Sequence, residues 1–150
     1  MIRYKHTQIG YLLLSASFIL AIFFIWLYVV IEENIGENLP VIILMGLIAF
    51  TLGSFSILHV TIDEKYLGIK FSYGIFRKKF LLKDIVSVKN VKNSWYHGWG
   101  IRLSLWPLVW IYNVSGYDAI EITMRNGKAY RIGTDTPEDL ELALNRVIGP

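Results

Sequence analysis

The sequence predicts a membrane α-helical hairpin followed by an α+β domain: a bent antiparallel β-barrel or sandwich of about seven strands, capped by a C-terminal helix. Three observations carry that expectation. Two long blocks near the N-terminus, Ile9–Ile31 and Leu39–Leu58, hold no formal charge. From His59 onward the chain breaks into short runs rich in Val, Ile, Tyr, Phe and Trp, punctuated by Gly, Asn and Asp, which is the texture of β-strands. The closing stretch Pro137–Ile148 has its apolar residues at helical spacing. Composition agrees: 54% of the 150 residues are hydrophobic and 18% charged, where soluble domains carry about 25% charged residues. The aromatic share of 15% excludes a disordered chain. The absence of cysteine excludes a disulfide scaffold, a thiolate zinc site and a cysteine nucleophile.

As a helix, the block Ile9–Ile31 reaches roughly 35 Å, enough to cross the hydrocarbon core of a bilayer. It is too long for the apolar region of a cleaved leader, and no small-residue cleavage site follows it. Leu39–Leu58 reads as a second span, with Pro40 in its first turn and Gly46 and Gly53 inside. Glu32–Asn38 between them holds three acids and no base, so the spans form a tight hairpin with both chain ends on one side. Arg3 and Lys5 precede the first span, and Lys65, Lys70, Arg77, Lys78, Lys79 and Lys83 follow the second. The positive-inside rule then makes this a multi-pass protein of the inner or plasma membrane with both termini cytoplasmic. Residues 1–62 form the flank and the two spans, and 59–150 form the cytoplasmic domain.

In that domain, strands are expected at Leu58–Asp63, Tyr66–Tyr73, Ile75–Leu82, Ile85–Lys92, Trp99–Leu103, Val109–Val114, Ala119–Met124 and Lys128–Ile132. Leu67, Ile69, Phe71 and Tyr73 alternate with Gly68, Lys70 and Ser72, so one face of that strand is buried. Asn126-Gly127 is a favoured pair for a two-residue hairpin turn. The final helix starts with Thr136 as N-cap, Pro137 in the first helical position and Glu138 and Asp139 at the positive end of the dipole. Leu140, Leu142, Ala143, Leu144, Val147 and Ile148 supply its apolar face, and Gly149 ends it. Because His59–Ile62 continue directly from the second span, no linker holds the domain off the lipid.

Catalytic groups are poorly placed for chemistry. His6, His59 and His97 are far apart, with no i, i+3 or i, i+4 pair, so a histidine metal site is not expected. Asp63 and Glu64 would point to opposite faces of a strand, as would Asp118 and Glu121. No phosphate loop or dinucleotide fingerprint occurs. The sequence therefore predicts no enzyme, no metal and no cofactor. An enzyme would need His97, Arg102 and either Asp118 or Asp135 to converge.

Two features are dense enough to mark a surface. Trp95, Tyr96, Trp99, Trp106 and Trp110 crowd one segment in which Arg102 is the only formal charge. These rings either fill a small core or form a membrane- or ligand-contacting surface, as tryptophan does at the headgroup boundary. Arg102 would then need a partner such as Glu121 or a lipid phosphate. Arg77, Lys78 and Lys79 form a basic hairpin, within a region that counts 13 basic against 9 acidic residues from His59 onward. They are either a solvated strand face or a surface held to an anionic leaflet, each charge adding roughly 1 kcal/mol. A domain tethered to a bilayer, without a nucleic-acid-binding motif, is not expected to bind nucleic acid.

Ser94–Arg102 (SWYHGWGIR), Trp110–Ile122 (WIYNVSGYDAIEI) and Gly127–Leu140 (GKAYRIGTDTPEDL), set behind a two-helix hairpin, resemble bacterial membrane proteins carrying a pleckstrin-homology-like domain. The resemblance spans almost the whole chain. It implies a seven-stranded bent barrel capped by the last helix, a membrane location and, for most members, no established activity. The basic pattern that binds inositol phosphates in the eukaryotic version is not matched, because Lys65 and Lys70 stand five apart with no arginine completing it. The expected role is a non-enzymatic membrane-anchored module that contacts inner-leaflet lipid, recruits a protein partner, or does both. An accessory subunit of a transporter or larger complex, or a homo-oligomer, is the alternative, with Gly46 and Gly53 marking close helix packing.

Overall fold

The computed structural model describes residues 3–30, 35–95 and 98–149. Strict alternation builds the first sheet. In β2 (Ile57–Ile62), Leu58, Val60 and Ile62 are buried, and in β3 (Tyr66–Phe71) so are Leu67, Ile69 and Phe71. Asp63 closes the turn between them by accepting the backbone N–H groups of Lys65 and Tyr66 at 2.8 and 2.7 Å. Those two donors hold its carboxyl below the usual carboxylate range. β4 (Arg77–Leu81) pairs antiparallel with β3. The opposite edge is β1 (Tyr4–Ile9), antiparallel to β2 from Tyr4↔Ile62 to Ile9↔Ile57. Positions expected to be an N-terminal flank therefore belong to the β domain, and the sheet order is β1-β2-β3-β4.

Between β1 and β2 the chain leaves the sheet as α1 (Tyr11–Val30) and α2 (Ile35–Ser54), which pack against each other. The start of α1 and the end of α2 meet where Ile9 pairs with Ile57, so the helices are antiparallel. The first matches the expected span closely. The second starts earlier than expected and stops at Ser54, because Ile57 and Leu58 already belong to β2. Among the described residues α1 is the helix long and apolar enough to cross a membrane; the apolar part of α2, Leu39–Ser54, is shorter. Most of the expected turn Glu32–Asn38 lies outside the described residues or side chains.

The second sheet comprises β5 (Ile85–Lys92), β6 (Gly100–Leu105), β7 (Leu108–Asn113), β8 (Asp118–Met124) and β9 (Ala129–Gly133), in the order β5-β8-β9-β7-β6. β8 and β9 form a hairpin, but not through the expected two-residue turn: Met124 exchanges bonds with Gly127 and Lys128, so Arg125–Gly127 form a three-residue loop in which Gly127 alone takes a left-handed φ, +80°. β7 then lies parallel to β9, so the sheet is mixed and not wholly antiparallel as expected. The two sheets face each other as an open β-sandwich of nine strands among the described residues, with free edges at β1, β4, β5 and β6 and no barrel closure.

The core is aliphatic with a few rings. Leu58, Val60, Ile62, Leu67 and Phe71 meet Ile120, Ile122 and Ile132 from the second sheet, and α3 (Pro137–Ile148) inserts Leu140 and Leu144. Each such side chain contributes about 1.5–3 kcal/mol relative to exposure. The last helix runs as expected to Gly149, with two corrections. Leu142 points to solvent. The Thr136 hydroxyl makes no capping bond: it lies 3.3 Å from the Tyr4 phenol, and Thr136 supplies only its backbone carbonyl to Leu140 N–H. His6 of β1 likewise reaches Asp135, just before the helix.

Candidate functional site

The helix pair is bonded directly to the sheets. Gly10 N–H donates to the Ser56 carbonyl at 2.6 Å, and the Gly10 carbonyl starts α1 by accepting Leu14 N–H. Ser72, in the β3–β4 turn, donates its hydroxyl to the Gly53 carbonyl at the end of α2 and accepts Ile57 N–H. The same turn stacks Tyr73 on Phe50 and Phe76 on Phe55. From the second sheet, Ser115 accepts Gln8 Nε2–H at its carbonyl. Three chain segments thus converge on the helix ends. The helices themselves bury none of the residues of α1, and large side chains such as Phe18, Ile19, Ile25 and Phe50 are exposed.

Alternation decides where the basic residues go. The outer face of the first sheet carries two cross-strand rows, Thr7–His59–Lys70–Arg77 and Lys5–Thr61–Gly68–Lys79. No carboxylate stands in either row. Lys70 and Arg77 are direct cross-strand partners, a like-charge pairing that is unfavourable without an anion between them. Inside this field, His59 accepts or donates with the Thr7 hydroxyl at 2.9 Å. Desolvation first, then Lys70 and Lys5, push its pKa below the ordinary 6.5. Arg77 and Lys79 therefore belong to one surface as expected from sequence, but Lys78 does not. Its partner Ile69 faces the core, so Lys78 points inward with Phe80.

The described tryptophans of the expected contact segment lie outside the core. Trp106, at the tip of the β6–β7 hairpin, is 91% exposed and Trp95 is 79% exposed. Trp110 is exposed, and Trp99 is half-buried against an open cleft shared with Leu13 and Leu52 of the helices. Tyr96 and His97 lie outside the described residues. Register explains the hairpin. Leu103 pairs with Trp110 and Leu105 with Leu108, on the same face as Ile101 and Tyr112. Ile101 and Tyr112 pack on the core, whereas the other four continue past it uncovered. The β3–β4 tip adds Tyr73, Ile75 and Phe76, all exposed; alternation puts Tyr73 on the buried face of its strand, but β3 ends at Phe71 and Tyr73 falls in the turn. Their signal was three aromatic or branched residues flanking Gly74 in a turn.

Arg102 does not meet Glu121. Its Nε donates to the Trp99 carbonyl at 3.4 Å, while Glu121 holds Arg131 at 2.7 Å across the β8–β9 pair. Asp118 lies 4.0 Å from Lys92 and Asp135 is bound to His6, so Arg102, Asp118 and Asp135 are each engaged with different partners, and His97 lies outside the described residues. Gly53, expected to mark packing with another helix, instead faces the Tyr73 hydroxyl, while Gly46 is open. No group of metal-ligating side chains occurs among the described residues. Comparison with known proteins finds no matching family model, curated protein or solved structure.

Proposed function

We propose that this chain is a membrane-anchored, pleckstrin-homology-like module without enzymatic activity, whose helix pair sits in the bilayer and whose basic sheet face and aromatic hairpins bind an anionic leaflet. The carrying observation is the linker-free junction at Gly10, Ser56 and Ser72, with Lys70 and Arg77 paired close to it. The His59–Lys70–Arg77 row is two residues from Ile57, about 7 Å along the strand. A headgroup layer is roughly 5–7 Å deep on each side of the hydrocarbon. Once the exposed helices are embedded, those cations reach phosphate height, and Tyr73, Ile75 and Phe76 reach the hydrocarbon boundary. The distribution of basic residues supports cytoplasmic termini. Open Gly46 supports a second reading, in which α2 packs against a helix of a larger complex.

The test uses full-length protein in nanodiscs of phosphatidylcholine, with and without phosphatidylglycerol. Anionic lipid is expected to slow amide exchange across Phe71–Arg77 at least several-fold, an effect lost in Lys70→Glu/Arg77→Glu and weakened by salt. Equal exchange in both lipids, or a chain that stays dispersed without amphiphile, refutes the reading. A cysteine at Asn34 labelled only from outside and one at Asn126 labelled only from inside would establish the topology.

A further inference from the structure

Lys78 is an ammonium on the inward face of an edge strand. Its Nζ lies 4.4 Å from the centre of the Tyr130 ring, 5.5 Å from that of Phe80 and 5.7 Å from that of Tyr112, and donates to the Tyr112 phenol oxygen at 3.2 Å. No carboxylate pairs with it among the described residues. Ring faces attract the cation without cancelling its charge, so a half-buried ammonium there still favours an anion. Beside it, between the free β4 edge and the β6–β7 hairpin, opens a cavity of about 140 Å³ lined by Ile69, Phe71, Phe76, Ile101 and Tyr112, with Arg77 at its rim. That volume is close to the roughly 150 Å³ of an apolar cavity that admits a benzene-sized guest.

The cavity does not stand alone. Ile101 also lines the larger cleft of about 840 Å³ that runs to Leu13, Leu52, Phe55 and Leu103. Phe76, in the wall of the first, stacks on Phe55, in the wall of the second, at 4.9 Å. The two cavities therefore adjoin at Ile101 and the Phe55–Phe76 pair, between the ends of the helix pair and Lys78. The geometry points to a binding site for a single-chain anionic amphiphile of the fatty-acid class, its carboxylate on Lys78 and its chain running past Ile101 toward the helices. Charge complementarity selects an anion, and the narrow cavity selects one chain over two. This inference rests on the membrane-anchor reading only for the source of the ligand, since the site lies inside the sandwich and not on its basic outer face.

The test is binding of laurate to the full-length protein in phosphatidylcholine nanodiscs, which hold no anionic lipid to engage the outer face. One laurate per chain is expected. Lys78→Gln and the cavity-filling Ile101→Trp should each weaken it at least tenfold, Lys78→Arg and the outward Lys79→Gln no more than about threefold. Dodecanol should bind at least tenfold more weakly than laurate, and millimolar inorganic phosphate should not displace it. Melting curves show which variants are folded, and Tyr112→Phe, which removes only the phenol partner of Lys78, should shift affinity without emptying the site. Laurate uptake unchanged by Lys78→Gln and Ile101→Trp would overturn the assignment, leaving Lys78 as a charge that keeps other strands off the β4 edge. Equal affinity for dodecanol would overturn it too. Loss of the lipid-dependent exchange at Phe71–Arg77 with laurate binding intact would sink the anchor reading alone.

Discussion

Replacing Gly10 by Ala tests the bonding of helices to sheets. The added Cβ would lie 2.5 Å from the Val114 carbonyl oxygen and 3.0 Å from that of Ser56. Carbon–oxygen contacts need about 3.3 Å, so the Val114 backbone would have to retreat by roughly 0.8 Å. It is not free to do so. Val114 is buried, and Ser115 beside it is held by Gln8 and by its own hydroxyl bond to the Ile9 carbonyl at 3.4 Å. Overpacking against fixed backbone costs about 1–3 kcal/mol. Against this, restricting the unfolded chain returns about 0.4–1 kcal/mol. Gly10 has no left-handed φ, so the effect is steric. A net loss of about 1–2 kcal/mol lowers the melting temperature of a chain this size by roughly 2–8 °C. The assay is thermal unfolding in maltoside micelles followed by tryptophan fluorescence, with Gly46→Ala as the control because nothing lies within 4 Å of that site. The control should melt at or slightly above the parent. A Gly10→Ala protein melting no lower than the parent would refute the reasoning.

Other consequences follow from single interactions. Arg131 and Glu121 are 14% and 21% exposed, so Arg131→Met strands a carboxylate and should cost about 1–3 kcal/mol, discounted from the fully buried case. Arg131→Met/Glu121→Leu should recover most of that in urea titrations, and a neutral single variant would contradict the pairing. His59 has a folded pKa below its unfolded one, so the unfolded chain binds more protons in the interval just under pH 6.5. Its contribution is intact above pH 6.5 and lost as the pH falls toward the folded pKa. Titrating the imidazole by NMR should show the pKa rising in Lys70→Gln and in anionic nanodiscs, because each reduces the positive field; no movement in either would remove the electrostatic account.

Much of the fold was legible because burial follows period. β2, β3, β8 and β9 appear almost where alternation puts them, and α3 matches its expected limits, since proline, acids and glycine mark its ends. β1 was not legible: the inward positions of Tyr4–Ile9 are Tyr4, His6 and Gln8, which carry no apolar rhythm, and their partner strand lies beyond two helices. The end of α2 was misplaced for the opposite reason. The uncharged run continues from the helix into β2, so no charge marks where the backbone changes. Arg77, Lys78 and Lys79 read as one cluster, although Phe80 facing the core already implies that Lys78 faces it too.

Local order set the elements: uncharged length, two-residue alternation and capping residues determine helix or strand within a window of a few positions. Which faces meet depends on distant partners. In the uncharged run from Leu103 to Val114, large apolar side chains occupy both faces of β7, so no two-residue rhythm tells an inward from an outward ring, and Trp106 stands uncovered at the β6–β7 tip. Likewise only the mating of two open-edged sheets sets Lys78 among three rings beside a cavity. Burial is a property of the assembled layers, and no stretch of chain carries it alone.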